Sequence, residues 1–211
     1  MKITKIGHSC ILIEEKNLKI LTDPGMFSRL GNNLMDIDVI LITHADMDHL
    51  DMNSLKMILK NNPKARIITN KSVGELLKKE NIQFKTVGDQ EKIYENGILI
   101  EGFGKKHAQI YPTIEPQDNT GYLVANKLFF PGDAFTIPNR PVEILALVVF
   151  SPWCKFSEVI DYAKAIKPKV CFPVHEAILA SPDFPNKMFP RFLDPLGIKY
   201  EPLTSGMSIS V

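Results

Sequence analysis

The sequence predicts an α/β protein in which two mixed β-sheets pack face to face with helices outside, an αββα sandwich formed by one domain over residues 1–211. Three observations point there. Strand and helix patterns alternate through the first part of the chain, strand patterns then pair across short turns, and alternation returns after Ile144. Alternation calls for crossover units and parallel strands, whereas turn-linked pairs call for antiparallel ones.

The elements follow in order. Lys2–Ile6 alternates in hydrophobicity, Cys10–Glu14 is apolar and β-branched, and Leu18–Leu21 follows a short Glu-Lys-Asn turn, so strands open the chain. Asp23-Pro24-Gly25 breaks the run with turn residues. Val39–Thr43 (VILIT) is a continuous apolar stretch, as a strand covered on both faces requires. Met52, Leu55, Ile58 and Leu59 then recur at helical spacing, and Asn61-Asn62-Pro63 ends that helix. Ala65–Thr69 reads as a strand and Ser72–Glu80 as a helix with Val73, Leu76 and Leu77 on one face. Lys92–Tyr94 and Ile98–Glu101 flank Asn96-Gly97, the strongest two-residue hairpin signal, and Thr120–Ala125 pairs with Lys127–Phe130. Ile144–Val149 is a buried strand. Phe156, Val159, Ile160, Ala163 and Ile166 mark an amphipathic helix, and Lys169–Val174 is the next strand.

Composition excludes several classes. A net charge of +1, with 23% charged residues, does not suit a strongly basic nucleic-acid module or an acidic disordered tail. Nucleic acid is therefore not an indicated partner, and a small-molecule substrate is expected. Cys10, Cys154 and Cys171 form no CxxC and no even-numbered disulfide framework, which fits a reducing compartment. The opening MKITKIGHSCILIEEKN lacks the layout of a signal peptide, and no window of 18 apolar residues occurs. The expectation is a cytoplasmic protein with no membrane span.

The five histidines carry the chemistry. His44-Ala45-Asp46-Met47-Asp48-His49 follows VILIT directly, at the carboxyl end of a strand, where open α/β sheets place their sites. Side chains alternate in an extended loop, so His44 and Asp46 point the same way and share one ion, while Asp48 and His49 face a second. Imidazole with carboxylate suits zinc, manganese or iron. The competing reading is a charged loop in which Asp48 or Asp51 caps the helix at Met52. His107, Asp133 in Phe130-Pro131-Gly132-Asp133, and His175 in Pro173-Val174-His175-Glu176 also lie just past strands, so all converge on one edge of the sandwich.

This order of motifs resembles the metallo-β-lactamase fold superfamily, with HADMDH at 44–49, then His107, then Asp133, then His175. GHSCILIEE, TDPG and PVHEA look like the group of small metal-dependent hydrolases that includes ascorbate-6-phosphate lactonase. The resemblance implies two divalent ions, zinc first with manganese or iron as alternatives. His44, Asp46 and His107 would hold one, Asp48, His49 and His175 the other, and Asp133 would bridge them. It implies hydrolysis of an ester, lactone, amide or phosphodiester by a water acidified between the ions, with Asp48 orienting that water. Asp23 would buttress the metal loop. Asp46 departs from the usual HxHxDH. Its carboxylate should weaken zinc preference and leaves a diiron redox protein as the rival reading, with nuclease or β-lactam-cleaving activity as further variants on the same fold.

Other residues have two readings each. His8 lines the site or holds its own turn. Lys105-Lys106 attracts an anion or is a solvated loop. Arg140 clamps a carboxylate or phosphate, or is a surface charge. The Pro-rich run from Ser181 to Pro195 forms a wall over the site or packs as a final helix.

Overall fold

The computed structural model describes residues 1–31 and 34–211. The first half contains β1 (Lys2–Gly7), β2 (Cys10–Glu15), β3 (Leu18–Thr22), β4 (Val39–Ile42), α1 (Met52–Asn61), β5 (Arg66–Thr69), α2 (Lys71–Lys79) and β6 (Lys85–Thr86). The second contains β7 (Lys92–Glu95), β8 (Ile98–Phe103), β9 (Gly121–Val124), β10 (Leu128–Phe130), β11 (Ile144–Val148), α3 (Phe156–Ile166) and β12 (Val170–Val174). It closes with α4 (Phe184–Met188), α5 (Pro190–Leu193), β13 (Lys199–Tyr200) and β14 (Ser208–Ser210).

Two seven-stranded sheets result, β14-β1-β2-β3-β4-β5-β6, built from the first half and the last strand, and β13-β12-β11-β10-β9-β8-β7, built from the second half. Both are mixed as expected. In the first sheet β1, β2 and β3 are antiparallel neighbours and β3 to β6 run parallel. In the second β7 to β10 are antiparallel and β10 to β13 parallel. The chain's last strand, β14, returns to the first sheet beside β1.

Strand periodicity explains the four layers. Val39 and Leu41 of β4 enter the core between the sheets, while Ile40 and Ile42 face Leu55, Ile58, Val73 and Leu77 of α1 and α2. In β11, Ile144, Ala146 and Val148 enter that same inner core, whereas Leu145 and Leu147 meet Val159, Ile160 and Ala163 of α3. Continuous apolar runs in β4 and β11 thus serve two apolar layers at once. On α2 the buried face is Val73, Gly74 and Leu77, and Leu76 is exposed, contrary to the expected stripe. Phe84 takes up the room beside Gly74, so the helix needs no further large side chain there.

The Pro-rich run packs as a final helix. Phe189 is buried against Phe156 and Tyr200, and Leu193 joins the same cluster, so the segment closes the outer face of the second sheet. Among the described residues no helix is long and apolar enough to cross a membrane.

Candidate metal centre

Strand ends deliver the site. His44 follows β4, His107 follows β8, Asp133 follows β10 and His175 follows β12. The 44–51 loop is turned by His49 and Leu50 N–H groups donating to the Asp46 carbonyl at 2.8 and 2.7 Å. Asp51 caps α1, accepting from Ser54 N at 2.8 Å and Ser54 Oγ at 2.6 Å, so Asp48 is left for the site.

Asp23 holds this loop from beneath. Its fully buried carboxylate accepts from Thr43 N at 2.8 Å and Thr43 Oγ1 at 2.6 Å, and meets His49 Nδ1 at 2.7 Å. Gly25 lets the two loops touch, because a Cβ there would lie 1.8 Å from the Asp48 carbonyl oxygen. Gly132 plays the same part for Asp133. Its φ is +63°, and a Cβ would lie 2.3 Å from Asn119 Oδ1, which itself accepts from Asp133 N at 3.1 Å.

Four imidazoles are tied off by one nitrogen and face inward with the other. His44 Nδ1 meets Thr43 Oγ1 at 2.9 Å and His49 Nδ1 meets Asp23. His107 Nδ1 donates to the Ala108 carbonyl at 2.6 Å and His175 Nδ1 to the Phe150 carbonyl at 2.7 Å. Such partners fix ring orientation and leave Nε2 as the available ligand atom. Buried Nε2 atoms of His44, His49 and His175, together with Asp133 Oδ1, have no well-aligned hydrogen-bond partner, although the Nε2 atoms of His49 and His175 lie 3.1 Å from the Asp133 carboxylate. Buried polar atoms are rarely orphaned, and orphans converging on one point fit a cation with nitrogen and oxygen ligands.

Asp133 sits at the centre. Its carboxylate oxygens lie 3.1 Å from His49 Nε2, 3.1 Å from His175 Nε2 and 3.6 Å from His107 Nε2. Asp48 Oδ2 is 3.2 Å from His175 Nε2 and 3.1 Å from His8 Nε2. Asp46 Oδ2 is 3.6 Å from His44 Nε2 and 3.8 Å from His107 Nε2, and is the most exposed of the set. Three overlapping groupings emerge, His44–His107–Asp133, His8–Asp48–His49–His175 and the buttressing Asp23–His44–His49, with candidate ligand atoms within 4.8 Å of one another in each. All seven residues singled out by the sequence, His44, Asp46, Asp48, His49, His107, Asp133 and His175, meet in this cleft.

The cleft's charge is unbalanced without a cation. Burial works against the charged form of His175, yet Asp133 and Asp48 outweigh it and lift the imidazole to about 9. His49 is likewise raised by Asp133 and Asp23 against the effect of burial. Asp133 is held well below the usual carboxylate range, since the surrounding histidines outweigh its burial. His44 and His8 go the other way, pushed down by burial, His8 to about 4. The carboxylates of this cleft thus favour positive charge among the imidazoles, the charge that a divalent ion would bring.

Two contributors gave weaker signals in the sequence. His8 lies in the cleft, with Phe27 against its ring at 5.3 Å, so the lining reading of that residue is the structural one. Trp153 donates from Nε1 to Asp133 Oδ2 at 2.8 Å and was not foreseen, although it is the chain's single tryptophan and follows a buried strand. The cationic candidates are engaged elsewhere. Arg140 pairs with Glu101 at 3.1 Å, Lys105 with Asp89 at 3.7 Å, and Lys106 with Asp118 at 3.3 Å. Arg140 is therefore no free clamp, and the two lysines form a solvated charged loop.

A four-layer sandwich with a buried His/Asp cluster at strand ends is an architecture able to hold metal ions. The β-lactamase superfamily domain matches residues 2–175, and the chain belongs to that family, the metallo-β-lactamase superfamily. Protein Rv0786c of Mycobacterium tuberculosis is 36% identical over 185 residues, covering 85% of this chain and 86% of that protein. The UPF0173 metal-dependent hydrolase NEQ378 of Nanoarchaeum equitans is 29% identical, with 83% of each chain covered. Among solved structures, the metallo hydrolase Igni18 from Ignicoccus hospitalis superposes with a TM-score of 0.79 at 18% identity, over 99% of this chain and 97% of that one.

Proposed function

We propose that the protein is a metal-dependent hydrolase with a dinuclear centre acting on a small ester, lactone, amide or phosphodiester. The observation that carries this reading is the set of four imidazoles, each fixed through Nδ1, whose Nε2 atoms surround Asp133. His44, Asp46 and His107 would hold one ion, Asp48, His49 and His175 the other, and Asp133 would serve both. When bound, such ions acidify a water toward neutral pH and polarise the substrate oxygen.

The chain's own residues do the rest. Asp48, with Oδ2 between His8 and His175, orients the attacking water and accepts its hydrogen bond. Asp23 and Thr43 keep His49 and His44 in register with the loop. Trp153 fixes the rotamer of Asp133. Each set offers two imidazoles and one aspartate beside Asp133, a donor mix that suits zinc, with manganese or iron as alternatives. Three free cysteines, two of them buried, fit a cytoplasmic protein.

Elemental analysis of metal-loaded protein, followed by a hydrolysis screen on lactones, esters and phosphodiesters, tests the reading. Two equivalents of metal and metal-dependent turnover are expected, and Asp133→Ala should lose at least one equivalent and turnover together. A wild-type protein that retains no stoichiometric metal would overturn it. Iron with an oxidase signal and no hydrolysis would favour the diiron alternative.

A further inference from the structure

A cavity of about 280 Å³ opens beside the metal centre and shares two of its walls, Asp46 and His107. Its other lining includes the apolar side chains of Ile110, Ile114 and Pro116, together with Ala108, Glu115 and Gln117. These belong to the excursion between β8 and β9, whose stem is fixed by His107 N–H donating to the Gln117 carbonyl at 2.9 Å and Ala108 N–H to the Asp133 carbonyl at 2.8 Å. Its tip is built as well. The Gln109 side chain donates to the Tyr111 and Ile114 carbonyls at 2.5 and 2.6 Å, so the loop stays folded while Ile110, Tyr111 and Ile114 remain exposed. Large apolar side chains held open on a pinned loop, a few ångströms from candidate ligands, mark a ligand-binding surface.

The charge of this cavity is equally specific. Among the described residues no lysine or arginine lines it, and its two ionisable acids are Asp46 and Glu115. Lys105 and Lys106 of the same excursion line a different hollow together with Asp89 and Asp118. Arg140 is committed to Glu101. A phosphate or carboxylate on the substrate's tail would meet Asp46 and Glu115, and the nearest lysine, Lys106, is already shared between Asp118 at 3.3 Å and Glu115 at 4.0 Å.

Resting on the metal-hydrolase reading above, we infer that the cavity walled by His107, Asp46, Ile110 and Ile114 binds the uncharged apolar tail of the substrate. The substrate class is then a neutral ester, lactone or amide with a short alkyl or aryl group, and not a phosphorylated one. The scissile carbonyl lies over the ligand cluster and the tail extends along the Ile110–Ile114 wall.

Hydroxamates, which chelate metal through a small head, report the tail independently of turnover. Zinc-loaded protein is titrated calorimetrically with acetohydroxamate, hexanohydroxamate and the six-carbon hydroxamate that ends in a carboxylate. Each buried methylene strengthens binding by about a factor of four. Hexanohydroxamate should therefore bind at least about tenfold more tightly than acetohydroxamate even with partial burial of its chain. The carboxylate-ended compound should lose that gain. Ile114→Asp, a change at an exposed loop position, should abolish the chain-length gain, read as the ratio of hexanohydroxamate to acetohydroxamate affinity. Equal affinity for the two neutral compounds, an unimpaired carboxylate-ended compound, or a gain that survives Ile114→Asp would each overturn the inference while the metal centre stands. Failure of all three compounds to bind would instead remove the metal-centre reading and this inference with it.

Discussion

Asp133 accepts the indole N–H of Trp153 at 2.8 Å on one oxygen, while its other oxygen faces His49 Nε2 at 3.1 Å. Trp153 is a positioning residue, since it acts on the ligand and not on the substrate. Hydrogen-bond partners of metal ligands typically contribute about 10–100-fold to affinity. Trp153→Phe keeps the ring and removes the donor, so metal affinity, measured by competition with a chromophoric chelator, should fall within that range. Unchanged affinity would make the contact incidental. In the wild type this sole tryptophan should also change its emission on metal titration. Asp46 allows a second prediction at this scale. Asp46→His replaces a charged oxygen ligand by a neutral nitrogen, so zinc should gain on manganese and iron at that ion. Metal competition followed by elemental analysis checks this, and an unaltered preference would show that Asp46 does not coordinate.

At the scale of elements, the metal loop and the last helices respond differently to mutation. A Cβ on residue 25 would lie 1.8 Å from the Asp48 carbonyl oxygen, so Gly25→Ala forces the 44–51 loop outward. Metal affinity should drop sharply, read by the same chelator competition. Phe189→Ala empties a packed site between Phe156 and Tyr200 and should cost about 3–5 kcal/mol of stability with metal affinity intact. Denaturant unfolding beside metal titration separates the two outcomes. The same contrast explains what the sequence disclosed. VILIT and HADMDH are legible because a doubly covered strand and a ligand loop each leave a dense local pattern. Strands β6 and β13, two residues each, and β14, three, are too short to show a period, and only pairing with a neighbour defines them. Leu76 fits the helical spacing but faces outward because Gly74 and Phe84 close that side of α2.

For the whole molecule, the seven candidate ligands come from four strand ends spread across both sheets, so the cleft exists only when both halves are packed. Sequence could place each residue after a strand, and the matching of the two edges follows from the topology. Trp153 escaped because its partner Asp133 is distant in sequence and no local spacing links them. Metal binding and folding should therefore be coupled throughout the chain. An ion that binds the folded state alone stabilises it by about 2.7 kcal/mol at a free concentration one hundred times its Kd. In a chain of this size each kcal/mol raises the melting temperature by about 2–4 °C, so saturating zinc should raise it by roughly 5–10 °C over chelator-treated protein. Asp133→Ala should fold and yet lose most of that increment, because the carboxylate proposed to serve both ions is gone while the hydrophobic layers are untouched. Scanning calorimetry on both proteins, with and without chelator, measures the two increments. If wild type melts at the same temperature with zinc and with chelator, the ions do not bind the native cleft. If Asp133→Ala keeps the full increment, the remaining residues hold the metal without the bridge, and the centre is mononuclear.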